Sequence, residues 1–183
     1  MVIHFLSMRY GGIMENKQLK WCCRIKDGIK IIESNETLSK SYLEQAKSSI
    51  LRAEKNLEEQ DFLWATVAMY YAEYYALYSF LQKVGIKCEN HTCSILAADF
   101  LLGSDKVKTI NEHKGKRIDA QYYIKTEQEE VIKQMMIEAK NFISAFDELI
   151  SNLSEEKIKE YKERIIKENS KKTDRKSLKI TKN

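Results

Sequence analysis

The segment "WATVAMYYAEYYALYSFLQKVG", residues 64–85, decides the fold of this chain, because its apolar and aromatic side chains recur at spacings of three and four. Five of the ten tyrosines of the sequence lie in it. The pattern predicts a helix that is capped by Asp61 and ends at Gly85. Since apolar or aromatic side chains surround this helix almost completely, we expect it to be covered on more than one side.

The rest of the chain has the composition of a helical protein, with no proline and only six glycines in 183 residues. Apolar stripes predict further helices over about 36–60, 92–102, 126–153 and 154–169. Thr126 and Glu129 form a capping-box pattern, which predicts that a helix begins at Thr126. The predicted fold class is all-α: an antiparallel up-and-down bundle of four to five helices with a short N-terminal arm or hairpin.

Four parts are predicted along the chain. Residues 1–13 read as a non-native or disordered leader, with Met14 as the suspected start, and residues 14–35 as an N-terminal arm. Asp27 and Gly28 in this arm predict either a short hairpin or a helix turn followed by extended chain. Residues 36–169 form the bundle, and residues 170–183 a basic disordered tail that carries the excess positive charge of the chain.

Several classes of protein are disfavoured by the sequence. No apolar run reaches the roughly 18 residues that a membrane-spanning helix needs, and the N-terminus lacks the pattern of a secretory signal. We therefore expect a cytoplasmic protein without a membrane partner. The common nucleotide-binding, zinc-protease and serine-hydrolase motifs do not occur, so no cofactor is predicted.

The four cysteines are predicted to be free thiols, because nothing indicates an oxidising compartment. An alternative is a zinc site formed by Cys88, His91 and Cys93, with a fourth ligand from Cys22 or Cys23. The spacing differs from that of common zinc motifs, so we expect no metal. In that case His91 caps the third helix of the bundle.

The tyrosines of residues 64–85 fall into two groups. Tyr71, Tyr75 and Tyr78 follow the apolar stripe and are predicted to pack in the core. Tyr70 and Tyr74 lie off that stripe and are predicted to line a dimer interface, where tyrosine is favoured.

Two segments together resemble the HEPN superfamily, in particular its compact single-domain archaeal members. They are "AMYYAEYYALYSFLQKVGIKCENH", residues 68–91, and "RIDAQYY", residues 117–123, within a similarity that extends from about Trp21 to Leu153. The resemblance implies a four- or five-helix up-and-down bundle. It also implies a homodimer that packs across the face carrying these motifs.

Ribonuclease members of this superfamily carry an arginine followed after four to six residues by a histidine. Arg117 is present here, but positions 122, 123 and 124 hold Tyr, Tyr and Ile, so the catalytic histidine is missing. We therefore predict that RNA cleavage is absent or very slow. Should activity exist, it would be metal-independent endoribonuclease activity with Tyr122 or His113 beside Arg117.

Residues 104–125, "SDKVKTINEHKGKRIDAQYYIK", are polar and moderately helical, and the ligand-binding candidates are grouped by the faces of this helix. Arg117 and Gln121 share one face, and Asp119 and Tyr122 another, while His91 approaches from the preceding loop. The planar guanidinium of Arg117 suits phosphate or carboxylate. Alternatively, Arg117 pairs with Asp119 or with an acidic side chain of another helix and only stabilises the bundle.

The predicted function is that of a non-catalytic or weakly catalytic module that binds nucleotide, RNA or a partner protein. Related compact proteins typically pair with a minimal nucleotidyltransferase in toxin–antitoxin modules, so the resemblance implies such a partner. One alternative is an active ribonuclease toxin that uses Arg117 with Tyr122 or His113. Another is an interaction scaffold without a ligand.

Overall fold

The structure is a computed structural model that describes the backbone of residues 11–170 and the side chains of residues 17–170. Seven α-helices occupy this described part: α1 (Gly11–Cys22), α2 (Glu36–Glu58), α3 (Phe62–Val84), α4 (His91–Leu102), α5 (Lys108–Tyr123), α6 (Glu129–Ser151) and α7 (Glu155–Ser170). Two short strands, β1 (Lys30–Ile31) and β2 (Ile86–Lys87), pair antiparallel, and a 3-10 turn over Ser104–Lys106 lies between α4 and α5. The predicted all-α fold class is confirmed. None of the described helices has the length and apolar character needed to cross a membrane.

Helix α3 is the centre of the fold. It packs against α2, α4, α5, α6 and α7, which confirms that it is covered on more than one side. Its alanines Ala65, Ala72 and Ala76 are fully buried, and small side chains allow neighbouring helices to approach closely. Residues 59–61 turn the chain from α2 into α3, so the two helices run antiparallel, with Ser39 Oγ 3.1 Å from Ser79 Oγ.

Most predicted helix ends are confirmed. The side chains of Asn35 and Asp61 accept hydrogen bonds at the N-termini of α2 and α3, and Gly85 ends α3 with a φ of 81°. The predicted start of a helix at Thr126 is wrong, because α6 begins at Glu129 and has no side-chain cap. Residues 124–128 instead form the connection that carries the chain from the end of α5 to α6.

The N-terminal arm forms a helix and an extended segment, so the alternative of a hairpin at Asp27 and Gly28 is wrong. β1 pairs with β2, which follows α3, and so its partner comes from a distant part of the sequence. The turn does require glycine, since a Cβ at position 28 would lie 1.8 Å from the carbonyl oxygen of Cys22. Residues 1–10 and 171–183, which hold most of the predicted leader and tail, lie outside the described residues.

A disulfide joins Cys22, at the end of α1, to Cys93, in the first turn of α4. The prediction of four free thiols is therefore wrong for this pair, while Cys23 and Cys88 are free. The two bonded cysteines are 71 residues apart, and only the packing of α1 against α4 brings them together.

The tyrosines of α3 are distributed differently from the prediction. Tyr70 and Tyr74 are 0% and 7% exposed inside a single chain, so their predicted place at a dimer interface is wrong. Tyr71 and Tyr75 are only half-buried, whereas Tyr78 is buried as predicted. Because α3 is apolar on nearly every side, periodicity alone could not show which aromatic face points outward.

Candidate functional site

The candidate site lies where α3, α4 and α5 meet. The Asn90 side chain caps α4 by accepting a hydrogen bond from the Cys93 amide at 3.1 Å, so the predicted capping role of His91 is wrong. His91 is instead the first residue of α4. On α5, Lys114 and Arg117 are three residues apart and share a helix face. We call His91, Lys114 and Arg117 the basic cluster.

His91 is held by two tyrosines of α3. Its Nδ1 lies 2.8 Å from the Tyr70 hydroxyl oxygen, and its ring stacks on Tyr74 with centroids 3.7 Å apart and planes 5° apart. Burial lowers the pKa of His91, and the charges of Arg117 and Lys114 lower it further. The imidazole is therefore neutral near pH 7.

Arg117 lies over the ring of Tyr70, with the guanidinium carbon 4.8 Å from the ring centroid. Its Nη1 donates to Gln121 Oε1 at 3.1 Å, as their predicted common face requires. The Nε atom is buried and has no hydrogen-bond partner among the described residues. Among the described residues, no carboxylate forms an ion pair with Arg117. The alternative in which Arg117 pairs with Asp119 and only stabilises the bundle is therefore not observed there.

Lys114 adds a second positive charge to the site. Its Nζ donates to Thr92 Oγ1 at 2.6 Å, and burial, followed by the charge of Arg117, lowers its pKa. Burial raises the pKa of Tyr70 to about 12, although Arg117 opposes this shift. The half-buried cluster thus holds two like charges beside a neutral imidazole and a neutral phenol.

His113 is buried behind the basic cluster, one helical turn before Arg117. Only 1% of it is exposed. Its Nδ1 lies 2.7 Å from Glu73 Oε1 and its Nε2 lies 3.2 Å from Glu138 Oε2. Because carboxylates occupy its two ring nitrogens, His113 is placed to stabilise the bundle and has no access to a bound ligand.

Asp119 and Tyr122 lie on the exposed side of α5. Tyr122 is 67% exposed, and neither residue shares a hydrogen bond or an ion pair with Arg117 among the described residues. The structure therefore brings together three of the predicted ligand-binding residues, Arg117, Gln121 and His91, and leaves the other two outside that group.

Three residues of the site were missed by the sequence analysis. Lys114 could have been found from its spacing of three residues to Arg117 on the same helix. Tyr70 and Tyr74 carried no such signal, because their contacts with His91 depend on how α4 packs against α3.

The cysteines near the site do not form the alternative zinc site. Cys22 and Cys93, two of its possible ligands, are joined in the disulfide. Within residues 17–170, no group of three or more histidine, cysteine, aspartate or glutamate side chains is arranged to hold a metal ion.

Fold and site together define a small helical bundle with a cationic and aromatic site at the junction of three helices. The family model of the HEPN domain matches residues 39–157, which include most of α2, helices α3 to α6 and all the site residues. The chain therefore belongs to the HEPN domain family, a family of nucleotide- and RNA-related modules. Neither curated proteins nor solved structures give a significant match.

Proposed function

We propose that this HEPN domain is non-catalytic or weakly catalytic and binds the phosphate groups of a nucleotide or RNA through the basic cluster. The observation that supports this most is the positive charge of Arg117 and Lys114, neither of which forms an ion pair with a carboxylate among the described residues. Burial, followed by the charge of Arg117, lowers the pKa of Lys114 and of His91, which means that the two cations repel each other and that a proton on His91 is disfavoured. A bound anion would relieve that repulsion, and such unbalanced charge in a half-buried site is typical of ligand-binding positions.

The donors of the cluster suit a phosphate group. Arg117 offers the terminal nitrogens of its planar guanidinium, and Lys114 offers an ammonium group. When Tyr70 donates its proton to Nδ1, His91 carries its own proton on Nε2 and becomes a neutral donor. Hydrogen bonds to charged groups typically contribute about 1.5 to 3 kcal/mol each.

RNA cleavage is expected to be absent or slow, because it requires an imidazole that can exchange a proton with the ribose. The ring nitrogens of His113 are occupied by Glu73 and Glu138 in the interior. His91 is neutral near pH 7, and its Nδ1 is occupied by the Tyr70 hydroxyl, so its Nε2 can only donate a hydrogen bond. Brisk, metal-independent cleavage that Arg117→Ala abolishes would instead favour the ribonuclease alternative with Tyr122 or His113.

Titration of fluorescently labelled RNA tests the proposal. Arg117→Gln and Lys114→Gln should each weaken binding roughly ten- to hundredfold. Each should also reduce the slope of log affinity against log salt concentration by the amount that corresponds to about one phosphate contact. Lys159→Gln, which removes an exposed charge from α7, is the matched control and should change little. Equal affinity of all four proteins would contradict the proposal and favour a ligand-free scaffold.

We also propose that the protein acts as a homodimer and pairs with a minimal nucleotidyltransferase in a toxin–antitoxin module. Membership of the HEPN family supports this, as does the exposed apolar segment 122–124 next to the site. Co-expression with a nucleotidyltransferase from a neighbouring gene tests the pairing. A stable complex of the two chains on size exclusion is expected, and separate elution would contradict it.

A further inference from the structure

Three half-buried tyrosine rings lie in a row at the surface of α2 and α3, and we call them the tyrosine strip: Tyr42, Tyr71 and Tyr75. The ring centroids of Tyr42 and Tyr75 are 6.1 Å apart, and those of Tyr71 and Tyr75 are 6.2 Å apart. Each of these residues is partly accessible to solvent, although all three pack against the core. The strip therefore presents neighbouring aromatic side chains that α2 and α3 bury only in part.

The interior tyrosines of α3 have a structural role that the strip lacks. The hydroxyl groups of Tyr70, Tyr74 and Tyr78 have partners at 2.8, 3.2 and 3.3 Å on the segment that follows α3. Those tyrosines fix β2 and the start of α4 against the bundle. Among the described residues, the contacts of the strip are instead made by its rings.

The strip leads directly into the basic cluster. The ring of Tyr71 lies edge-on to His91, with centroids 6.0 Å apart, and contacts Tyr70, which carries Arg117 on its ring. Trp64 lies nearer the N-terminus of α3, seven residues before Tyr71 and on the same side of the helix, and it is 55% exposed. Aromatic rings thus extend along α3 on one side of two uncompensated cations.

We propose that the tyrosine strip stacks the bases of single-stranded RNA whose phosphates are held by the basic cluster. This inference rests on the proposed function and specifies its ligand as a strand with unpaired bases. Tyrosine and tryptophan rings bind exposed bases of any sequence, while nearby cations neutralise the backbone. In a duplex the bases are already stacked on one another, so a double-stranded ligand would not use the strip.

Charge complementarity favours this ligand over an apolar protein helix. An apolar helix laid along the strip would leave Arg117 and Lys114 facing it without a counter-charge, and buried unpaired charges are costly. A polyanion satisfies the two cations and offers planar rings to the strip at the same time. The binding should consequently depend on bases, with little dependence on their identity.

The test compares two labelled strands of equal length and equal phosphate number, one intact and one in which the central bases are replaced by abasic riboses. Wild-type protein should bind the intact strand on the order of tenfold more tightly or better. The pair Tyr71→Leu with Tyr75→Leu should lose that preference and retain its affinity for the abasic strand. The pair Tyr71→Phe with Tyr75→Phe keeps the rings and should keep the preference.

Other outcomes distinguish a failure of the tyrosine strip from a failure of the basic cluster. If wild-type protein binds the two strands equally and still depends on Arg117, the strip does not stack bases, while the proposed function stands. If Arg117→Gln leaves the affinity for both strands unchanged, the proposed function fails and this inference fails with it. If the leucine pair converts a dimer to a monomer and retains the preference for bases, the strip is a protein interface. If the leucine pair does not fold, the affinities of wild-type protein for the intact and abasic strands still show whether binding depends on bases.

Discussion

Glu73 and His113 form a buried pair of ionisable groups inside the bundle. Burial raises the pKa of Glu73, although His113 opposes that shift. Burial also opposes a charge on His113, but its bonds to Glu73 and Glu138 outweigh this and raise its pKa above 6.5. The folded protein therefore holds protons here more tightly than the unfolded chain does.

This pair predicts a dependence of stability on pH. A raised histidine pKa contributes stability that is present below the unfolded value of 6.5 and is lost as pH rises through the folded value. The free energy of unfolding in urea should thus fall as pH rises above 6.5. His113→Gln should reduce this slope.

His91→Gln is the control for that measurement. The pKa of His91 is lowered, so its contribution has the opposite sign and is confined to pH values below 6.5. The slope above 6.5 should therefore persist in this variant. Equal slopes in wild type and His113→Gln would show that the buried pair does not control this dependence.

For single residues, the sequence could predict only contacts between side chains of the same helix. The spacing of four residues between Arg117 and Gln121 was sufficient to place them together, and they share a hydrogen bond. His91 was selected as a candidate, but its environment was not predictable, because Tyr70 and Tyr74 reach it from another helix. The burial of His113 was equally hidden, since it depends on acidic residues of α3 and α6.

Among the helices, the end of α5 carries a local strain. Ile124 follows α5 in the left-handed region, with φ at 55°, and is 74% exposed. A β-branched side chain rarely adopts this conformation, and such residues cost of order 1 to 3 kcal/mol. Glycine is free of that cost.

Ile124→Gly should consequently raise the free energy of unfolding by about 1 kcal/mol. Chemical denaturation measures it at protein concentrations below the dissociation constant of the proposed dimer, where Ile124 makes no interface contact. Ile166→Gly is the matched control, because Ile166 is 50% exposed but lies inside α7, where glycine should lower stability by about 1 kcal/mol. A loss of stability in both variants would contradict the assignment of strain to Ile124.

The disulfide between α1 and α4 predicts a dependence of stability on the redox state of the protein. A disulfide that closes a loop of 71 residues restricts the unfolded chain, and the chain-entropy model gives about 4 kcal/mol for that length. Reduction, or Cys22→Ser, should therefore lower the free energy of unfolding by up to that amount. Cys23→Ser leaves the bond intact and should change stability little. Insensitivity of the wild type to reductant would contradict the prediction.

The order of the long helices, the start of α2 and both ends of α3 could be predicted because their causes are local. Asn35, Asp61 and Gly85 act through bonds to their own helices, so the sequence shows them directly. The outward face of α3 was assigned incorrectly because the helix is apolar on nearly all sides, and burial then depends on which neighbours pack where. The disulfide and the pairing of β1 with β2 were missed for the same reason, since they join distant segments.

For the whole molecule, the exposed apolar segment 122–124 is the basis for the proposed dimer. Tyr122, Tyr123 and Ile124 are 67%, 64% and 74% exposed and adjacent in sequence. Three consecutive exposed apolar side chains are unusual in a single folded chain, and exposed apolar surface often marks an interaction site. Aromatic residues are enriched in protein interfaces.

Sedimentation of the wild type at micromolar concentration should accordingly give a species of twice 21.5 kDa. Tyr122→Glu with Tyr123→Glu should shift it to the monomer by placing charges in the interface. Ile137→Glu, at an isoleucine of α6 that is 53% exposed, is the control and should remain dimeric. A wild type that sediments only at 21.5 kDa would refute the dimer.

The bond between Cys22 and Cys93 also encloses the turn between α2 and α3, where residues 59–61 are exposed. A protease that cuts after Glu58 or Glu59 would break the chain inside the covalent ring without releasing either fragment. On a denaturing gel the nicked protein should run as one band without reductant and as two bands with it. The molecule would therefore survive a cut in its backbone as a single covalent unit for as long as its thiols stay oxidised.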